Sequence, residues 1–419
     1  MTLIGSVPRR AVNLAPGSLK ILINHLHGNN AQQGPAIEAF YQAFGRWLDI
    51  SHVFGAASGR SAFQLALKSL DLKKGAEIIF PIFTFPVMPM VAKMLGFRPV
   101  FCEVDPVTFN SGPEHIEPKI TADTGAVLAT HLFGKPCPIN EIKALTQQRG
   151  IRLLEDCAHA CGVRVNGKAV GTFGDIGLFS FAEGKNMPCF GGGAITTSDA
   201  EIAYQAKTIL ANSALQSKDE IFKKAISVWL KWVATIPWVF GITIFPALRL
   251  KQFLGQPLLD STVGDALLDQ FEKSQPRIKR MSNLQAAVGL LQLGHIDAFN
   301  EGARRNAQAL TEELGNIQTV TAPQTTDDNH IYVYYPLSVT PEMRDDLRNF
   351  LLNHGIDTKI TDMSDCSVLT PFLDGRDTEA HREGPSEASI LEICVYPMIS
   401  TAKMRRIGRV IQAWDVTKT

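Results

Sequence analysis

The chain has 419 residues, 45% of them hydrophobic, and its 41 lysines and arginines equal its 41 aspartates and glutamates. That length and composition exclude a disordered chain and indicate a large core, in two or three domains or in one large domain with an appendage. The zero balance of charge gives no electrostatic case for nucleic acid, and no motif that reads it is present, so no nucleic-acid partner is expected.

Residues 1–35 read as an extended arm with a short helix, ending at Gly34-Pro35. The first 30 residues contain no apolar block before a cleavage site, so no signal peptide is expected. An amphipathic helix is predicted over 36–48, with Ile37, Phe40, Phe44 and Leu48 on one face. A regular alternation then begins. Strand-like runs are "HVFGAA" (52–57), "AEIIFP" (76–81), "RPVFCEVD" (98–105), "GAVLATHLF" (125–133), "IRLLEDCA" (151–158), "IGLFSF" (176–181) and "GGAITTS" (192–198). Helical patterns at 61–70, 85–96 and 139–150 separate the earlier ones. Strands alternating with helices predict an α/β domain around a mainly parallel seven-stranded sheet covered on both faces. Ligands of such sheets sit at strand carboxyl ends.

The alternation stops after residue 200. The stretch 281–314 predicts one long helix with a broad apolar face, and 330–419 predicts a small α+β domain. The expected division is an N-terminal arm (1–35), a large domain (36–212), an insertion (213–275), a long helix completing the large domain (276–300) and a C-terminal domain (301–419).

Seven cysteines, an odd number without a CxxC pair, fit a reducing cytosol. Cys157, His159 and Cys161 lie close together, but the further ligands of a zinc site are missing, so no metal is expected. Four other stretches carry chemistry. In "AASGRSAFQLAL" (56–67) a strand ends, Ser58-Gly59 turns and a helix begins; its N–H groups with the Ser58 and Ser61 hydroxyls suit a phosphate, although such turns also occur without ligands. Phe85, just past a strand end, suits either stacking on a flat ring or the core. Asp156 ends a buried strand in "LLEDCAHACG", where a carboxylate needs a facing cation or a capping role. His159, three residues on, can touch the same ring or serve as a satisfied core histidine. In "FSFAEGKN", Ser180 ends a strand and Lys185 follows in a glycine-containing loop. A desolvated lysine forms a Schiff base, whereas a solvated one is a surface charge. Together the four supply what pyridoxal 5'-phosphate requires: a phosphate cradle, a stacking ring, a carboxylate for the pyridinium and an amine for the aldehyde.

The stretches "SGRSAFQLAL", "AEIIFPIFTF", "RPVFCEVDPVTFN", "THLFGKP", "EDCAHACG", "GDIGLFSFAEGKN", "GGGAITTSD" and "MSNLQAAVGLLQL" resemble, in order, the motifs of the DegT/StrS-type aminotransferases, over about 35–212 and 275–419. The resemblance implies a fold type I PLP-transferase, usually dimeric, that aminates keto sugars of nucleotide-linked sugars, with glutamate as the usual donor. By that resemblance Lys185 is the Schiff-base lysine and Asp156 the partner of the pyridine nitrogen. His159 is at the ring-contacting position, Phe85 at the stacking position, and Gly59, Arg60, Ser61 and Ser180 at the phosphate positions. A lysine rather than a histidine at 185 implies transamination rather than dehydration. Three departures stand out. Arg60 replaces the family's usual threonine, so the hydroxyl is expected from Ser61. Ile278-Lys279-Arg280 replaces Asn-Tyr-Arg, whose asparagine reaches a neighbouring subunit's phosphate in the family. The "AEG" before Lys185 is also unlike the family's residues.

Residues 221–259 contain no acidic residue but five basic ones, Lys223, Lys224, Lys231, Arg249 and Lys251. Lys224, Ser227 and Lys231 share one helical face, opposite Ile221, Phe222, Ile226, Trp229, Trp232 and Val233. The uncharged run 232–248 is broken by Pro237, Gly241 and Pro246 and is too short and interrupted to span a bilayer. An interfacial hairpin against anionic headgroups is expected, with an apolar cover over a core or dimer interface as the alternative. The expectation is therefore a cytoplasmic homodimeric aminotransferase of cell-surface polysaccharide or glycoconjugate biosynthesis, peripherally bound at the inner face of the membrane. Its alternatives are an aminotransferase of a hydrophobic or lipid-linked ketone and a non-catalytic regulatory relative.

Overall fold

The computed structural model describes residues 5–27, 30–256, 264–274, 276–315, 317–323, 329–373 and 389–418. The seven strand-like runs form one sheet. Its strands are β1 (His52–Ala56), β2 (Glu77–Pro81), β3 (Arg98–Cys102), β4 (Thr124–Thr130), β5 (Arg152–Asp156), β6 (Ile176–Ser180) and β7 (Gly193–Thr197), in the order β1-β7-β6-β5-β4-β2-β3. Neighbours from β6 to β3 are parallel, and β7 is antiparallel to both β6 and β1. The reversal has a local cause. The β6–β7 connection, Phe181–Gly192, contains no helix and so cannot make the crossover a parallel pair requires. Gly191 and Gly192 close it with φ of 96° and 102°, a region that favours glycine.

Alternate side chains along each inner strand enter opposite faces. Ile78, Phe80, Ala126, Leu128 and Leu154 join helices Gly59–Ser69, Val87–Met94 and Ala200–Ala211 in one core. Ile79, Val127, Ala129 and Leu153 join helix Ile139–Arg149 on the other face. Because both faces are covered, the strands read as continuous apolar runs rather than alternating ones. Helix Ala36–Leu48 buries Phe40 and Phe44 against Phe179 and Phe181, and the short helix expected in the N-terminal arm is Ser18–His27.

The stretch 281–314 is two helices rather than the one expected, Asn283–Leu293 and Ile296–Leu314. The break falls at Gly294 and His295, the latter at φ −121°, ψ −11°. Glycine is a poor helix former, and the preceding turn is tied elsewhere. The buried Gln292 amide accepts from Ala15 N and donates to Asn13 O, both at 2.7 Å. Apolar spacing continues across the break, which is why periodicity alone does not reveal it. Ile296 packs in the core of Phe40 and Phe44, whereas Ala303, Ala307, Leu310 and Leu314 pack in the C-terminal core.

That second core joins helices Pro341–Asn353 and Thr401–Val416 to an antiparallel sheet with strand order Val320–Thr321, Tyr335–Val339, Ile390–Ile393 and Lys359–Ile360. Much of the preceding loop, 374–388, lies outside the described residues. Strand pairing and a backbone bridge are among the contacts that tie this region to the rest. Ser364–Asp365 pairs with Phe83–Thr84, just beyond β2, and Val7 of the arm bridges Ile356.

The insertion begins with helix Lys218–Ala234, closed at its start by a Ser217–Glu220 capping box. Its apolar face, Ile221, Ala225 and Val228, packs on Val12, Leu14, Leu22, Phe190, Leu284 and Val288. Helices Pro237–Ile242 and Ile244–Phe253 follow, and Phe240, Phe245 and Leu248 pack on Leu352 of the C-terminal domain. No helix among the described residues is long and apolar enough to cross a membrane. The inner surface of the insertion is thus a cover over both domains. Its residues 257–263 lie outside the described residues.

Candidate active site

At the carboxyl ends of β1, β5 and β6 lies a cavity of about 650 Å³ lined by Ser58, Gly59, Arg60, Phe85, Asp156, His159, Ser180 and Lys185. Ser61 is the one sequence-predicted site residue that does not line it. The Ser61 hydroxyl points instead toward Arg277 O at 3.4 Å, and its N–H donates to Ser58 Oγ at 3.2 Å. Ser58 is thus the N-cap of helix Gly59–Ser69 as well as a cavity residue. A Cβ on Gly59 would stand 2.9 Å from Ser180 Oγ, so glycine lets the helix start approach Ser180 and leaves room between them. Arg60 also lies over the Phe271 ring, 5.6 Å from its centroid, and burial lowers its pKa.

Lys185 follows Gly184 in the β6–β7 connection, its N–H donating to Ala182 O at 3.0 Å. Its amine makes no hydrogen bond or ion pair among the described residues. Burial lowers the pKa to about 8; Asp156 and Asp362 oppose that shift, while Lys359 and Arg10 add to it. Asp156 is 7% exposed. Burial raises its pKa, offset in part by the Ala158 N–H at 2.9 Å and by the charges of Lys185 and His131. Each group thus lacks a full partner, and each would gain from a cation or anion placed between them.

His159 is 5% exposed, and burial, with Lys185, Lys359 and Arg10, holds its pKa well below the ordinary value. The ring is therefore neutral. Its Nδ1 accepts from Phe133 N at 3.3 Å, which places the ring proton on Nε2. Tyr334 meets its edge at a centroid distance of 5.7 Å.

The cavity is also lined by residues the sequence did not place in a site, among them Arg10, Thr84, Thr130, His131, Glu183, Gln216, Gln285, Tyr334 and Asp362, and by Lys224, which was expected at an anionic membrane surface. His131 follows the end of β4 beside Asp156, so the strand-end rule could have found it. Arg10, Tyr334 and Asp362 arrive from distant segments, and only tertiary packing gathers them. The Thr84 and Thr130 hydroxyls are buried without a hydrogen-bond partner among the described residues. Such orphaned polar atoms, together with the unpaired lysine amine and the cradle of Ser58, Gly59 and Ser180, fit a polar, flat, phosphorylated cofactor.

Two other features adjoin or lie apart from this cavity. His131, Glu155 and Cys157 form one buried cluster of metal-ligand types, rather than the Cys157–His159–Cys161 group of the sequence. Glu155 there already accepts from the N–H groups of Gly171, Phe173 and Gly174 at 2.8, 2.6 and 2.7 Å, a fixed structural knot. A wider cleft of about 840 Å³, lined by Tyr41, Tyr204 and Arg280 among others, contains none of the residues above.

A model of the DegT/DnrJ/EryC1/StrS aminotransferase family matches residues 17–232 and 269–414. The unmatched gap falls in the insertion. The UDP-N-acetyl-3-dehydro-alpha-D-glucosamine 3-aminotransferase of Acidithiobacillus ferrooxidans is 27% identical over 91% of this chain and 88% of its own. The L-glutamine:2-deoxy-scyllo-inosose aminotransferase of Micromonospora echinospora is 30% identical over 75% of this chain and 67% of its own. Among solved structures, S. venezuelae DesV in complex with a ketimine intermediate has the same fold, with a TM-score of 0.73 and 24% identity over 98% of this chain and 99% of that one.

Proposed function

The chain belongs to the DegT/DnrJ/EryC1/StrS aminotransferase family of PLP-dependent enzymes, and on that premise we propose that it moves an amino group from an amino acid, with glutamate as the expected donor, to the ketone of a nucleotide-linked sugar, in cell-surface polysaccharide or glycoconjugate biosynthesis. One observation carries this reading: a lysine amine without a partner and a buried carboxylate share a cavity with a phosphate cradle. Pyridoxal 5'-phosphate supplies there an aldehyde that takes the amino group and a cationic ring that accepts the electron pair of a broken Cα–H bond. Ser58, Ser180 and the N–H groups of Gly59 and Arg60 would hold its phosphate, and Phe85 and His159 would contact its ring. Asp156 would hold a proton on the cofactor's ring nitrogen, because a carboxylate at that buried strand end is stabilised by a cation. With a pKa near 8, Lys185 is about 9% neutral at pH 7, against roughly 0.03% for a lysine at the ordinary 10.5. That neutral amine would take the proton from the donor Cα and deliver one to the acceptor carbon.

The cofactor-loaded protein is expected to absorb in the visible, to lose that band with glutamate, and to regain it with a nucleotide-linked keto sugar. Lys185→Ala removes the lysine-bound band. Recovery with lipid extract but not with keto sugars favours a hydrophobic or lipid-linked ketone, and no response to glutamate favours a non-catalytic regulatory relative. We extend the proposal to a cytoplasmic homodimer that touches an anionic membrane surface through 221–259. The exposed Trp238, Ile242, Leu250, Phe253 and Leu254 support the membrane contact. Sedimentation reads the dimer. A protein that does not float with anionic liposomes, or a variant lacking 221–259 that floats equally well, sinks the contact.

A further inference from the structure

The polar face of helix Lys218–Ala234 meets the loop that carries Lys185. Lys231 Nζ donates to Glu183 Oε1 at 2.6 Å, and Lys224 Nζ stands 3.6 Å from Glu183 Oε2. Glu183 lies two residues before Lys185 and is the acidic member of the "AEG" stretch. Burial works against its carboxylate, but the Lys231 hydrogen bond and the charges of Lys224, Lys231 and Arg10 hold its pKa below the ordinary value. Two ammonium groups thus share one carboxylate. Lys231 makes the close bond and lies outside the cavity lining, whereas Lys224 is beyond hydrogen-bond reach of Glu183 and lines the cavity. The buried Glu183 Oε2 has no hydrogen-bond partner among the described residues.

The position of Lys224 is specific. Its Cε lies 3.7 Å from where a Cβ on Gly191 would stand, and the adjoining Gly192 bridges Ser58 of the cradle. A lysine whose charge is only partly matched therefore overhangs the end of the cavity formed by Ser58, Gly59 and Ser180. The same end offers a helix N-terminus, so three kinds of donor converge there: hydroxyls, backbone N–H groups and an ammonium.

We propose that Lys224 binds a phosphoryl oxygen at this end of the cavity, so that the insertion's first helix completes the active site. The oxygen belongs either to the cofactor's phosphate or to the diphosphate of a nucleotide-linked acceptor. This inference rests on the aminotransferase reading, so its test includes a ligand independent of that reading. Full-length Lys224→Ala, Lys224→Arg and Glu183→Gln are compared with the parent. Inorganic phosphate and PLP are titrated separately into cofactor-free protein by intrinsic fluorescence, and KM is measured for a nucleotide-linked keto sugar.

Lys224→Ala is expected to weaken one phosphoryl ligand about tenfold, the scale of one charge-assisted hydrogen bond. Lys224→Arg recovers most of that loss. Weaker PLP and inorganic phosphate binding identify the cofactor's phosphate as the ligand, and a rise in KM alone identifies the acceptor's diphosphate. Glu183→Gln keeps an acceptor for Lys231 while removing the negative charge, so it leaves phosphoryl binding unchanged or tighter. A purely structural role for Lys224 predicts the opposite, that Glu183→Gln weakens binding as Lys224→Ala does. That outcome, or unchanged binding of all three ligands by Lys224→Ala, overturns the proposal. A parent protein that binds inorganic phosphate through Lys224 but takes up no PLP counts against the aminotransferase reading and leaves the Lys224 site standing.

Discussion

Replacing Lys185 by methionine should make the cofactor-free protein more stable, by an amount that depends on pH. The fold lowers the Lys185 pKa from 10.5 to about 8, chiefly by burial. The unfolded chain therefore binds more protons than the folded one between those values, and stability rises with pH across that window. Below pH 8 the full cost of holding the buried ammonium applies, and above 10.5 it is gone. At 1.36 kcal/mol per pKa unit the cost is about 3 kcal/mol. Methionine has similar length and no charge, so Lys185→Met is expected to gain up to that amount at pH 7, raising the melting midpoint of a 419-residue chain by up to about 3 °C. The gain should shrink steadily between pH 8 and 10.5. The assay is thermal melting of parent and variant, both stripped of cofactor, at pH 7, 8.5 and 10. Equal midpoints at pH 7, or a gain that stays constant to pH 10, would refute the reasoning. On the aminotransferase reading, the stability given up at Lys185 keeps a larger share of its amine neutral near pH 7.

Three further outcomes follow from the geometry. Gly59→Ala puts a Cβ 2.9 Å from Ser180 Oγ at the first turn of a helix; the melting midpoint should hardly move while PLP affinity, read by titration, falls more than tenfold. Lys359→Met strands Glu392, its buried partner at 3.1 Å, and should cost about 3–5 kcal/mol in melting experiments at pH 7. Because burial raises the Glu392 pKa, that loss should diminish as the carboxylate protonates in acid, and Lys359→Met with Glu392→Leu should recover much of it. Burial holds the His159 pKa well below its ordinary value, so the kcat–pH profile should keep its shape in His159→Phe even where its height falls; loss of an inflection near pH 6.5 would contradict the lowered pKa.

The cavity residues differ in how far the chain itself announces them. Asp156, Ser180 and Lys185 stand at or just past the ends of apolar strand runs, and a polar or charged residue there is conspicuous because burial makes it costly. The seven strands were legible for the same reason, since residues buried on both sheet faces leave continuous apolar runs. Ser61 shows where the pattern runs out. A helix start offers several polar groups, and which of them turns inward depends on whether a neighbour such as Arg277 O captures the hydroxyl.

By itself, then, the sequence determined the seven strands, most of the covering helices and the burial of Asp156 and Lys185 near strand ends, because periodicity and local charge report which residues leave water. The tertiary structure alone decided what each face meets. It reversed β7 through a connection without a helix, broke the stretch 281–314 where Gln292 grips the N-terminal arm, and brought Arg10, Tyr334 and Asp362 to the cavity. It also brought Lys224 and Lys231 to Glu183. An amphipathic pattern specifies a polar face and an apolar one, but the partner of each is set by long-range packing, which no local spacing encodes.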